Sequence, residues 1–182
     1  MTINLFSLMA VTAGLLLAAG GWALDKMLPR YPDCWRELPR SLIPGVCIGA
    51  PVIIWAIYDG RTFLYDFIPA CKPYLPVITI LIIILAAWAV QYPFARAIGG
   101  LLTISMITLL HLGFTYNIPG RPLFALICYF FVVIGLFWLG SPWRFRDWLK
   151  KLCENAARRK RDSWIVIGNG ILLAIIGVLA WI

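Results

Sequence analysis

The chain of 182 residues is 62% hydrophobic and only 13% charged, with a mean hydropathy of +0.88. Soluble domains run near half apolar and about a quarter charged, so these values exclude a soluble globular fold and an intrinsically disordered chain alike. Sixteen Lys and Arg against eight Asp and Glu leave a net charge of +8, whose meaning depends on where the cations sit relative to a membrane.

A hydrocarbon core about 30 Å thick is crossed by roughly 17–25 helical residues. Six stretches qualify, at 3–24, 41–58, 74–91, 94–114, 122–140 and 164–182. They are too long for barrel strands and lack their alternation. The expected architecture is an all-α polytopic membrane bundle of six transmembrane helices, a single domain over 1–182, with one cytoplasmic interfacial amphipathic helix over 141–158.

The first span ends at Gly21-Trp22-Ala23, a small-x-small pattern of the kind cleaved after secretory signals. No Lys or Arg precedes it, and its removal would carry the following basic linkers outside, so the span is expected to be retained. The linker that follows repeats Leu-Pro-Arg at 28–30 and 38–40. Pro29, Pro32 and Pro39 forbid a continuous helix there, which predicts a stiff strap along the membrane, with Asp33 and Glu37 available to nearby arginines.

The second span carries Gly45 and Gly49 at GxxxG spacing, flanked by Pro44 and Pro51. Small residues four apart let another helix backbone approach closely. Pro51 removes a backbone hydrogen bond in mid-span and predicts a kink, a feature that lines substrate paths in some transporters. The fourth span is the most polar, with Arg96 at its start and then Thr103, Ser105, Thr108 and His111. Pro51, Thr103, Ser105 and Thr108 are thus the candidate pore-lining residues, although Ser and Thr also bond back to their own helix. The last span has Gly170, Ala174 and Gly177 at packing distance along one face.

Residues 141–158 read SPWRFRDWLKKLCENAAR. Ser141 suits a cap and Pro142 a first helical turn. Phe145, Trp148, Leu149, Leu152 and Ala156 form one apolar face, and Arg144, Arg146, Lys150, Lys151 and Arg158 fill the remaining arc. That pattern predicts a helix in the interface plane, with Arg144, Arg146, Trp148, Lys150, Lys151 and Arg158 contacting the lipid surface. A topological anchor and a docking surface for a cytoplasmic partner are both compatible with it.

Counted by linker, thirteen cations fall on one side of the membrane and three, Arg61, Lys72 and Arg121, on the other. The positive-inside rule then places the basic linkers in the cytoplasm and both termini outside, in what is expected to be a bacterial inner membrane. The nine tryptophans agree: Trp22, Trp88, Trp138 and Trp164 fall at inner helix ends, Trp55 and Trp181 at outer ends, and Trp35, Trp143 and Trp148 in the inner linkers. Cys71 alone is placed outside, with Cys34 and Cys153 inside and Cys47 and Cys128 within spans, which gives an extracytoplasmic disulfide no second member.

The outer face collects the candidate chemistry. Asp59, Asp66 and His111 are the candidate acid–base residues, and Arg61, Lys72, Tyr116, Asn117 and Arg121 the candidate substrate or anion ligands, provided that the 2–3 and 4–5 connections pack together. A lone histidine and the lack of carboxylates at ligand spacing predict no metal site, and no cofactor is expected. No Asp, Glu, Lys or Arg sits in mid-span, and no phosphate loop, HExxH or nucleophile elbow occurs. Nucleic acid is not an expected partner; the bilayer, its anionic lipids on the cytoplasmic face, and a protein partner or second copy are.

Three functions remain open. A passive small-solute channel or transporter subunit stands first, supported by the kinked second span and the polar fourth. A non-catalytic accessory or assembly subunit is the alternative, and an outer-leaflet enzyme or carrier for anionic lipid, using His111 with Asp59 or Asp66 and Arg61 or Arg121, is the third.

Overall fold

The computed structural model describes residues 5–31, 35, 37–89, 91–116, 118 and 120–180. Pro32, Asp33, Cys34, Arg36, Asn117 and Trp181 lie outside the described residues, as does the side chain of Cys71. Among the described residues the chain is entirely helical, without strands.

The helices are α1 (Leu5–Lys26), α2 (Leu42–Asp59), the short α3 (Arg61–Phe67), α4 (Leu75–Ala89), α5 (Pro93–Thr115), α6 (Arg121–Gly140), α7 (Pro142–Glu154) and α8 (Ala156–Leu179), with single 3-10 turns at Leu38–Arg40 and Pro69–Cys71. Five of them, α1, α2, α5, α6 and α8, are long and apolar enough to cross a membrane, and α4 is a shorter apolar helix. The chain is an integral, multi-pass membrane protein.

Local chemistry explains most boundaries. Proline occupies the first turn of α5, α6 and α7, where its missing N–H deprives no intrahelical bond. Gly120, at φ 73°, supplies the left-handed residue that turns the chain into α6. Pro51 lies inside α2, which stays helical from Leu42 to Asp59. The predicted helix 141–158 breaks at Asn155, whose side chain accepts from the Arg158 N–H at 3.0 Å and caps a new helix. Arg158, Arg159, Lys160 and Arg161 therefore form the first turns of α8, the last spanning helix, and Ala156 does not extend the apolar face of α7.

Lipid offers no hydrophobic drive between helices, so packing density and short backbone approach decide which helices pair. α1 and α8 run antiparallel at the closest possible spacing. A Cβ built on Gly14 would stand 2.5 Å from the Gly170 carbonyl oxygen, and one on Gly170 would stand 2.6 Å from the Gly14 oxygen. Ser163, buried, donates its hydroxyl to the Gly21 carbonyl across the same seam. Small residues recur every seven positions on both helices, as Ser7, Gly14 and Gly21 and as Ser163, Gly170 and Gly177.

α5 is the central helix. It packs antiparallel on α6, where Cβ atoms added at Gly99 or Gly135 would run into the partner's backbone or Thr103, and parallel to α2, where Gly45 abuts Pro93 and Phe94 and Gly49 lies over Ala97. Phe6 packs edge-on against Phe124 at 5.5 Å, joining the terminal pair to the central helices. A core of Phe6, Ala10, Met106, Leu109, Phe124 and Cys128 fills this junction.

Because α2 and α5 run parallel, the chain between them returns along the bundle. α4 makes that return, packed chiefly on α2 and with no buried residue. The ends of α1 and α6 and the starts of α2, α5, α7 and α8 consequently gather at one end of the molecule, the basic end.

Substituting Gly170→Ala should destabilise the fold by about 1–3 kcal/mol through overpacking against backbone. Gly168→Ala, on the same helix with nothing within 4 Å of the added carbon, should leave stability unchanged or slightly raised. Thermal unfolding in detergent micelles checks the pair.

Candidate functional site

The outer-face candidates are spread along separate elements. Asp59 and Asp66 are exposed at the end of α2 and on α3, and His111 is exposed on α5. The Arg61 guanidinium stacks 3.6 Å from the Tyr58 ring centroid, and the Lys72 ammonium lies 5.4 Å from that of Tyr65. Tyr116 is exposed and Arg121, half-buried, opens α6. Among the described residues no hydrogen bond or ion pair joins Asp59, Asp66 or His111 to Arg61, Lys72 or Arg121, and α3 packs chiefly on its chain neighbours. Arg61 and Lys72 are engaged by tyrosine faces instead, an arrangement suited to an aromatic membrane boundary.

The polar stripe of α5 is consumed internally. Thr103 donates to the Gly99 carbonyl at 2.8 Å, Ser105 to Leu102 at 3.2 Å and Thr108 to Ile104 at 2.9 Å. Thr103 also forms the wall against which Gly135 of α6 rests. Pro51 is exposed on α2.

The amphipathic helix α7 departs from the expectation of an apolar face in lipid. Phe145, Leu149 and Leu152 are buried within the protein, against Leu28, Ala95, Leu24, Phe94 and Trp138. The ring of Phe145 lies 4.7 Å from Trp138, and Trp138 lies 5.3 Å from Trp148. Trp148 donates its indole N–H to Asp162 at 3.1 Å, tying α7 to the first turns of α8. α7 is therefore a lid on the basic end of the bundle: protein surface from α1, α5 and α6 competes for its apolar face and offers denser packing than lipid. Its basic arc still faces outward, with Arg144 over the Phe137 ring at 4.8 Å and Lys150 3.9 Å from Glu154.

Beside α7, at the surface, lies the most concentrated polar arrangement described. Tyr92 precedes α5 in a left-handed conformation, φ 58° and ψ 57°, which costs a residue with a side chain of order 1–3 kcal/mol and is disfavoured again by the proline that follows. Its hydroxyl accepts from Arg40 at 3.0 Å and from Arg146 at 3.3 Å. Both guanidinium groups also lie against its ring, 5.2 and 6.0 Å from the centroid. Arg146 is anchored by two bonds, of 2.9 and 3.0 Å, to Asp147, which holds it firmly charged. The Arg40 hydrogen bond, with the positive charge of both arginines, holds the Tyr92 phenol below its ordinary ionisation range.

Arg40, Leu42, Gln91, Tyr92 and Pro93 line a cavity of about 440 Å³. Pro93 also borders a second, apolar cavity of about 200 Å³ between α2, α4 and α5, which contains Arg96. The Nε of Arg96 is buried and has no hydrogen-bond partner.

Arg40, Arg96 and Arg146 belong to the basic side expected from the linker charges, whereas Tyr92 is not among the residues expected to form a site. The available signal was Gln91-Tyr92-Pro93, a polar break between two long apolar runs followed three residues later by arginine. No protein-family model matches the chain, and neither curated proteins nor solved structures yield a match.

Tyr92 should ionise below the ordinary tyrosine value of about 10, and Arg40→Gln should move that ionisation upward. The check is an ultraviolet titration of each protein, read as the difference from its Tyr92→Phe counterpart.

Proposed function

We propose that this protein is a non-catalytic accessory or assembly subunit of a bacterial inner membrane, spanning it six times, with the basic end in the cytoplasm and both termini outside. The observation that carries the reading is the lid. α7 spends its apolar face inside the protein and leaves Arg144, Lys150, Lys151, Lys160 and Arg161 exposed on a surface held by α7–α8 contacts. A fixed basic surface at the membrane boundary is suited to anionic head groups and to an acidic face of a partner subunit.

The sixth span would be α4. Fifteen residues rise about 22 Å as a helix, and turns on either side extend that reach. Val77, Ile80, Leu81, Ile84, Leu85 and Trp88 are exposed along α4, a surface that suits lipid or a partner helix and suits water poorly. The thirteen-to-three division of cations supports the orientation.

A passive solute path is the competing reading. It is weakened by the self-bonded hydroxyls of Thr103, Ser105 and Thr108 and by the glycine-tight α5–α6 contact. Acid–base chemistry on lipid at the outer face would require Asp59, Asp66 and His111 to be drawn together from separate elements.

Two measurements test the proposal. Cysteines introduced one at a time at Gly60 and Gln91 in a cysteine-free background should be labelled from opposite sides of the membrane; labelling from one side overturns the sixth span. In mildly solubilised membranes the protein should migrate on native gels as part of a larger complex that Lys150→Glu, Lys151→Glu and Lys160→Glu together dissolve. Migration as a monomer, together with rapid swelling of proteoliposomes in a small neutral solute, would replace the accessory role by a channel.

A further inference from the structure

We propose that the groove between α2, α4 and α5, with the arginines at its basic mouth, binds one anionic phospholipid, its acyl chain in the groove and its phosphate against the guanidinium groups. The groove wall is built from Gly45, Val46, Gly49, Ala50, Ile83 and Ala87, small and aliphatic residues that expose almost no polar surface. α4, the outer wall, carries no buried residue and packs chiefly on α2, so the groove lies at the edge of the bundle. At the basic end Pro93 is shared between this groove and the larger cavity of Arg40, Gln91 and Tyr92.

The charge at that mouth is only partly compensated. Arg40 and Arg146 converge on one neutral phenol oxygen, at 3.0 and 3.3 Å. Asp147 pairs with Arg146, while among the described residues neither Arg40 nor Arg96 has a carboxylate within ion-pair distance. Arg96 stands in the groove with a buried Nε that donates to nothing. A buried cationic donor without an acceptor is costly, and a phosphate oxygen is the acceptor that guanidinium geometry fits best. An oxyanion at the mouth would face Arg40 and Arg146, with Arg96 one helical turn further along α5 in the groove, and an attached acyl chain would meet the apolar wall. A free phosphate would use the arginines alone and leave the groove without a role.

The site holds whether the chain is an accessory subunit or a solute path, since it needs only the membrane setting. The test is lipid retention by the full-length protein in detergent, titrated with phosphatidylglycerol or phosphatidylcholine and read by native mass spectrometry, with inorganic phosphate as the soluble probe. Phosphatidylglycerol should be retained over phosphatidylcholine. Arg40→Gln with Arg146→Gln should weaken it by about tenfold or more, whereas Lys160→Gln with Arg161→Gln, the same loss of charge elsewhere on the basic end, should not. Ala87→Phe, filling the groove, should weaken lipid binding while leaving the thermal unfolding midpoint and the response to inorganic phosphate unchanged. Equal retention of the two lipids, equal loss in both double variants, or lipid binding indifferent to Ala87→Phe would each overturn the proposal, the last by reducing the mouth to a soluble-anion site.

Discussion

The approach of α1 to α8 is the constraint on which the remaining architecture depends. In hydrocarbon, two helices gain nothing by merely hiding apolar side chains from one another. What they can gain is contact density, and Gly14 facing Gly170 lets the backbones meet with no side chain between them. The seven-residue recurrence of small residues keeps that face aligned over several turns, as a heptad seam does in coiled coils. The two ends of the chain are thereby locked into one pair, with Ser163 bridging to the Gly21 carbonyl near the basic end.

That closure places the charged residues. α8 begins several residues before its apolar stretch because Asn155 caps it, and its pairing with α1 holds those early turns beside the end of α1. Asp162 is thus available to receive the Trp148 indole, and α7 folds inward rather than lying free on the membrane. Leu28, just beyond α1, is fully buried under the same lid. A helix whose composition resembles that of a membrane-surface helix has turned its apolar face into the protein interior.

The second close approach, α2 to α5 through Gly45, fixes the mouth of the groove. Gly45 against Pro93 leaves no space for the chain to enter α5 gradually, and Tyr92 takes a left-handed conformation at that corner. The strained residue is also the one grasped by two arginines from distant parts of the chain, Arg40 before α2 and Arg146 on α7. Strain at one residue is thus supported by contacts from two elements, as expected where a local geometry is over-determined.

Hydrophobic run length made the membrane class and the approximate bounds of the long apolar helices legible in the sequence, because desolvating a backbone in lipid demands helices and a long apolar run has few other uses; the short α3 and the start of α8 at Ala156 were not legible in this way. The packing role of Gly45, Gly49, Gly170 and Gly177 was legible for the same reason. Partner choice was not: Gly14 and Gly21 sit in a run of Ala, Gly and Leu whose seven-residue pattern has meaning only beside its counterpart in α8. Amphipathicity in α7 identified an apolar face without naming what covers it, since protein and lipid select the same residues. The Arg40–Tyr92–Arg146 cluster unites positions more than fifty residues apart, and local periodicity holds no information about such a meeting. Sequence alone determined that this chain is helical and lives in a membrane; only tertiary packing decided which cations are spent on structure and which converge, because in lipid that choice belongs to close contacts between helices distant along the chain.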